Sequence, residues 1–125
     1  MNKTVVTISD YINGYNSFDI PAMTKHLLPS IVFDNIQNDT ITMHLEEVEA
    51  FATQAEAAKV YFSERKQTPT NLVHYTDRTE VDIAYYGIVA IDLPNGFMKG
   101  DLINLNGKSF FYFDGSTIAK IVDIS

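Results

Sequence analysis

The sequence predicts an α+β fold: three helices, all in the amino-terminal half, packed on the concave face of a curved, mainly antiparallel sheet that forms a cone or half-barrel with an internal pocket. Three observations predict it. Apolar residues recur at helical spacing up to about residue 64 and at period two after Pro69. Turn signals at Pro94-Asn95-Gly96 and Asp114-Gly115 join β-like runs with no helix between them, the pattern of consecutive hairpins. Two of those runs are too long for flat strands. The fourteen residues 79–92, at ~3.3 Å each, would span roughly 46 Å, so the sheet must bend, and Gly87 and Gly107 supply the means.

In order along the chain, Val5, Ile8, Ile12 and Tyr15, with Tyr11 beside them, predict a first helix over residues 5–17. Gly14 weakens that helix by about 1 kcal/mol relative to Ala, which marks a close approach by another element. Asp19 is a good N-cap for a second, short helix with Pro21 in its first turn. Ile20, Met23 and Leu27 line it and Pro29 stops it. Residues 30–36 are rich in β-branched and aromatic types and predict a strand. Asn38-Asp39 is a turn, and residues 40–43 a second strand. A third helix over 45–64 carries Leu45, Val48, Phe51, Ala52, Ala55, Ala58 and Phe62 as one stripe. Its acids Glu46, Glu47 and Glu49 come first and Lys59, Arg65 and Lys66 last, as the helix dipole favours. Strands over 71–77, 79–92, 101–113 and 117–124 complete the chain. With a turn near Gly96, Gly87 and Gly107 lie almost opposite each other.

Alternation assigns faces in the long strands. Ile103, Leu105, Ser109, Phe111 and Phe113 share the more apolar face of one; Val81, Ile83, Tyr85, Val89 and Ile91 share a face of the other. The opposite faces are also partly apolar. One face meets the helices and the pocket, and the outer one is expected to be covered in a homodimer.

Composition bounds the function. A chain of 125 residues with 46% hydrophobic content is one domain, 1–125, with enough apolar material for one core. Sixteen acidic against nine basic residues give a charge of −7 and no basic patch, which disfavours nucleic acid and anionic membranes as partners. No cysteine is present, so disulfides, thiolate nucleophiles and cysteine-ligated zinc are excluded. Residues 1–20 lack the apolar run of a signal peptide and no stretch approaches the ~20 apolar residues of a membrane span, so a cytoplasmic location is expected. His26, His44 and His74 have no metal-ligand spacing, and no metal site is expected.

The order helix, helix, strand, helix and then antiparallel strands resembles the nuclear transport factor 2-like superfamily, a cystatin-like cone that includes SnoaL-like polyketide cyclases and ketosteroid isomerase. The resemblance runs from about Thr4 to the end. It is carried by YINGYNSFDIPAMTKHLLPSIVFDN at 11–35 and DLPNGFMKGDLINLNGKSFFYFDGSTIAKIVDIS at 92–125, which resemble the opening and the closing hairpin of SnoaL-like domains.

What the resemblance implies is a pocket binding a hydrophobic small molecule. Tyr11 and Asp34 fall where ketosteroid isomerase keeps a phenolic donor and a general base. That chemistry needs a carboxylate to move a proton beside a carbonyl and acidic hydroxyls to hold the enolate. Ser109 takes the place of the third group, a protonated acid, and is a departure from that pattern. Tyr15, His74 and Ser109 are expected to line the cavity, and no cofactor is implied. Two functions stand side by side: a cofactor-free isomerase, cyclase or dehydratase with Asp34 as base and Tyr11 as donor, and a non-catalytic ligand-binding or homodimerisation module. In the second, Asp34 is a strand-end carboxylate bonded to the next turn and Tyr11 a core tyrosine.

Overall fold

The computed structural model describes residues 3–125; residues 1 and 2 of the expected domain lie outside the described residues. Helix α1 spans Lys3–Asn16 and α2 Ile20–Thr24, followed by strands β1 (Leu27–Gln37) and β2 (Thr40–Glu46). Helix α3 (Val48–Ala58) ends in a single 3₁₀ turn, Lys59–Tyr61. Strands β3 (Phe62–His74), β4 (Arg78–Val89), β5 (Leu102–Asp114) and β6 (Thr117–Ile124) complete the fold. The local chemistry is as the residue types dictate. Asp19 caps α2 by accepting from the Ala22 amide at 3.2 Å, with Pro21 in the first turn. Asn38 and Asp39 both take positive φ, 52° and 63°, as a two-residue hairpin loop between β1 and β2 requires.

The six strands form one sheet in the order β2-β1-β6-β5-β4-β3. All neighbours are antiparallel except β1 and β6, which run parallel. The three helices cover its concave side. Ile8, Tyr11 and Ile12 of α1, Ile20 and Met23 of α2 and Phe51 of α3 join Ile31, Val81, Ile83, Phe111, Ile118 and Ile121 of the sheet in one buried cluster. At about 25 cal/mol per Å² of apolar surface, this cluster dominates the folding energy.

Gly14 marks the close approach expected of it. A Cβ there would lie 2.8 Å from the Met23 amide nitrogen and 3.0 Å from the Ala22 Cβ. Gly14→Ala is therefore expected to lose about 1–3 kcal/mol through overpacking of α1 on α2, more than the ~1 kcal/mol that helix propensity returns. A lower urea midpoint at unchanged m-value checks this; a higher midpoint would mean that α2 yields freely.

Four expectations about the elements need correction. The third helix is shorter at both ends than 45–64. Leu45 and Glu46 belong to β2, and Glu47, at φ 74°, breaks the chain before α3 begins. From Phe62 the chain is already in β3, because β4 needs a partner along its whole length; Arg65 and Lys66 are strand residues, not the basic end of a helix. Leu27 and Pro29 lie in β1, so α2 stops at Thr24 without help from proline. Strand β3 runs through Pro69 with a register shift between Pro69 and Asn71, tolerable because β3 is an edge strand. Finally, Gly87 pairs with Ile103 and Gly107 with Ile83, four residues apart along the ladder, since the β4–β5 pairing ends at Ile88↔Leu102 and a long loop follows.

The outer face is mixed. Exposed Val73 and Leu102 share it with the ion pair Arg78–Glu80 (3.5 Å), two residues apart on β4, and the cross-strand ion pair Lys108–Asp82 (3.6 Å). Among the described residues no helix is long and apolar enough to cross a membrane.

Candidate functional site

Cross-strand partners share a face. Leu45, Phe33, Ile121, Phe111, Thr79 and His74 form one such row across all six strands. Phe111 meets Tyr11 of α1 edge-on at 5.6 Å and Phe33 meets Phe51 of α3 at 5.5 Å, so this row faces the helices. The adjacent row, His44, Asp34, Val122 and Phe110, therefore faces outward.

This divides the expected catalytic pair. Tyr11 is inside, 5% exposed, while Asp34 lies on the far side of the sheet. The alternation of residues 30–36 is apolar on both faces, and the sheet turns Phe33, not Asp34, toward the helices. Asp34 instead forms a hydrogen bond with His44 Nδ1, with Lys120 Nζ 3.9 Å from its other oxygen. His44 Nε2 is 2.8 Å from Glu46. The hydrogen bonds to Glu46 and then to Asp34 favour the charged ring and raise its pKa from 6.5. A folded pKa above the unfolded one means that the pairing is fully present below the unfolded value and is lost as pH rises through the folded value. His44 ring-proton shifts are expected to titrate with a midpoint above 6.5. A midpoint at or below that value would contradict the pairing.

The carboxylate that does lie inside is Asp123, which sequence reasoning passed over. In β6 it follows Ile121 at period two and pairs with Ser109 of β5, whose partner in β4 is Val81. Ser109 Oγ donates to Asp123 Oδ1 at 2.6 Å, and Ser109 is 5% exposed. Burial pushes the Asp123 carboxyl up from 3.8 to about 6, against the Ser109 hydrogen bond, which lowers it. Asp123 as a residue is half-buried. Tyr11 lies within its field. Burial first, and then the Asp123 charge, hold the Tyr11 phenol well above its ordinary pKa, so at neutral pH it is a proton donor.

One turn further along α1, Tyr15 donates to the Tyr85 hydroxyl at 3.3 Å. Burial raises both phenols. Against them lies Arg65, 4% exposed on the inner row of β3 and facing Gly87. Its Nε donates to the Tyr15 carbonyl at 2.9 Å, and the guanidinium stacks 3.8 Å from the Tyr15 ring and 4.3 Å from that of Phe18. A Cβ at Gly87 would meet the Phe62 ring at 2.9 Å and the Tyr85 hydroxyl at 3.0 Å, so glycine leaves room for both.

Of the five residues singled out from the sequence, Tyr11, Tyr15 and Ser109 thus share the inner face. His74 shares the face but not the place. It stands exposed on edge strand β3, with Nδ1 2.9 Å from Thr79 Oγ1. Under the helices the cone is filled by Ile8, Phe51, Phe111, Ile118 and Ile121, all below 5% exposure. Two clefts lie elsewhere: one of about 250 Å³ between α1 and β3, lined by Ser9, Ile12, Asn13, Asn16, Gln67 and Pro69, and one of about 470 Å³ between α2 and α3. Among the described residues no group of three acidic, histidine or cysteine side chains is placed to hold a metal ion.

No protein-family profile matches the chain, and no curated protein matches it in sequence. Solved structures do match in fold. A candidate polyketide cyclase from Xanthomonas campestris superposes with a TM-score of 0.83 at 15% identity, covering 98% of this chain and 90% of that one. Another from Pseudomonas putida gives 0.78 at 19% identity with the same coverage, 98% and 90%. A nuclear transport factor 2-like protein of unknown function from Burkholderia pseudomallei gives 0.79 at 11%, again covering 98% and 90%. The chain has the nuclear transport factor 2-like cone fold.

Proposed function

We propose, on the premise of that shared cone fold, that this protein binds a hydrophobic carbonyl compound against the inner face and moves a proton beside its carbonyl. Asp123 is the base, in the place that sequence reasoning gave to Asp34. In its ionised form it takes the α-proton; the carbon–hydrogen electron pair flows into the carbonyl, and the enolate oxygen accepts a hydrogen bond from the Tyr11 phenol. Ser109 fixes the carboxyl. Returning the proton at another carbon is isomerisation, attack of the enolate carbon on a second carbonyl is cyclisation, and loss of a β-hydroxyl is dehydration. Acid–base side chains suffice for all three, so the mechanism uses no cofactor. The descriptions of the Xanthomonas and Pseudomonas proteins as candidate polyketide cyclases agree with this class.

The observation that carries the reading is the Ser109–Asp123 hydrogen bond of 2.6 Å on the inner face, where burial raises the carboxyl to about 6 and its charge acts on the Tyr11 phenol. The test is α-proton exchange of a generic enolisable ketone, 2-tetralone, in deuterated buffer followed by NMR. Exchange should saturate with ketone and rise with pH through about 6 to a plateau, as a base of that pKa dictates. Exchange no faster than buffer alone would sink the reading. A non-catalytic ligand-binding or homodimerisation module is the second reading, favoured by the filled interior; it expects saturable binding or self-association with no exchange.

A further inference from the structure

We propose that Arg65 is an anion-binding residue of the inner face, and that the ligand carries a carboxylate or a similar delocalised oxyanion. The inference rests on the reading that the ligand lies against this face.

Arg65 is a buried cation with no acidic partner among the described residues. Its Nε is satisfied by the Tyr15 carbonyl in the last turn of α1, and its guanidinium lies against the rings of Tyr15 and Phe18. One terminal nitrogen, Nη2, is buried and has no hydrogen-bond partner among the described residues. Buried polar groups are almost always paired, and a buried charge left unpaired is among the costliest features a fold can hold. A partner was not scarce, since the chain has sixteen acidic residues against nine basic ones. Yet no ion pair with Arg65 exists among the described residues, and the helix end and the two rings together supply only partial negative charge.

A purely structural role accounts for Nε and the ring faces but leaves Nη2 unexplained. An incoming oxyanion accounts for it. The planar guanidinium fork matches two oxygens on one centre, and its contacts with the two rings fix its orientation. The surroundings fit such a ligand. Tyr15 donates its hydroxyl proton to Tyr85 at 3.3 Å, which leaves the Tyr85 proton to give, and Phe62 packs edge-on to Tyr85 with ring centroids 6.3 Å apart, so one phenolic donor stands beside an aromatic wall. Arg65 also belongs to the same electrostatic unit as the proposed base. The Asp123 charge raises the Tyr11 phenol and the Arg65 charge lowers it, so one hydroxyl feels both. A ligand anchored by its anion at Arg65 would present its body toward Tyr11.

The test uses the full chain and two probes of one shape, 2-naphthoate and neutral 2-naphthamide, titrated by NMR. Wild type should bind the carboxylate at least about tenfold more tightly than the amide, with shifts at Tyr15 and Tyr85. Arg65→Met should lose that preference, Arg65→Lys should keep part of it, and the unliganded Arg65→Met protein should melt no lower than wild type. Equal affinity for the two probes overturns the inference and leaves the Asp123 site standing. Failure of both to bind, or shifts confined to the outer face, overturns the inference and the site together. An Arg65→Met protein that melts lower yet keeps the carboxylate preference assigns the residue to structure alone. If Arg65→Met does not fold, wild-type selectivity and Arg65→Lys decide.

Discussion

Asp123→Asn is expected to abolish the proton-exchange activity and, at the same time, to make the protein more stable at neutral pH. The loss in rate should be about 10²–10⁴-fold, the usual contribution of a positioned base. The gain in stability follows from the carboxyl's shift from 3.8 to about 6 on folding. A raised folded pKa means that the folded state holds this proton more tightly than the unfolded chain. The associated stability is fully present below about pH 4 and lost as pH rises through about 6. At about 1.4 kcal/mol per pKa unit, ionising Asp123 at pH 7.5 costs the fold up to ~3 kcal/mol. Asparagine never pays it, and its side-chain oxygen still accepts from Ser109. Urea denaturation of both proteins should therefore show the variant ahead at pH 7.5 and level with wild type below pH 4. A variant that is less stable at pH 7.5 would mark Asp123 as a structural acid.

Phe111→Ala is expected to cost about 3–5 kcal/mol, the usual range for deleting a buried aromatic. Phe111 is 1% exposed, lies in β5 between its partners Thr79 and Ile121, and supports the Tyr11 ring edge-on at 5.6 Å. Set against the 5–15 kcal/mol stability of typical domains, such a loss leaves little margin. The urea midpoint should fall steeply while the m-value holds. A cost below about 1 kcal/mol would mean that the inner face tolerates a void, and that the interior is looser than its packing indicates.

The fold was legible because its main signals are local. The Asp19 cap, the Asn38-Asp39 turn and the change from helical to alternating periodicity each follow from a few neighbouring residues. The site was less so. Tyr11 and Tyr15 lie on the apolar stripe of the first helix and Ser109 on the more apolar face of its strand, and the structure turns all three toward the inner face. Asp34 was misplaced because Val32, Asp34 and Ile36 are no less apolar as a set than Ile31, Phe33 and Asn35, and period two cannot choose between such faces. Asp123 had a usable signal: it shares a face with Ile121, which is wholly buried. Arg65 was hidden by coincidence, since the apolar spacing of α3 runs on through Phe62 and makes the next basic residues look like a helix end. Only the pairing of Arg65 with Gly87 reveals a strand residue turned inward.

Strand β6 lies between β1 and β5, and no other strand pairing joins the β1–β2 hairpin to the β3–β4–β5 meander. It acts as a keystone: the two halves can each form from nearby sequence, but they become one sheet only when this segment docks between them. Its pairing with β1 spans most of the chain and is closed against a large loss of entropy, which makes it a late event in folding. Because Asp123 rides on that segment, its proton affinity is shifted only in a finished molecule, and partly folded chains carry an ordinary surface acid in its stead.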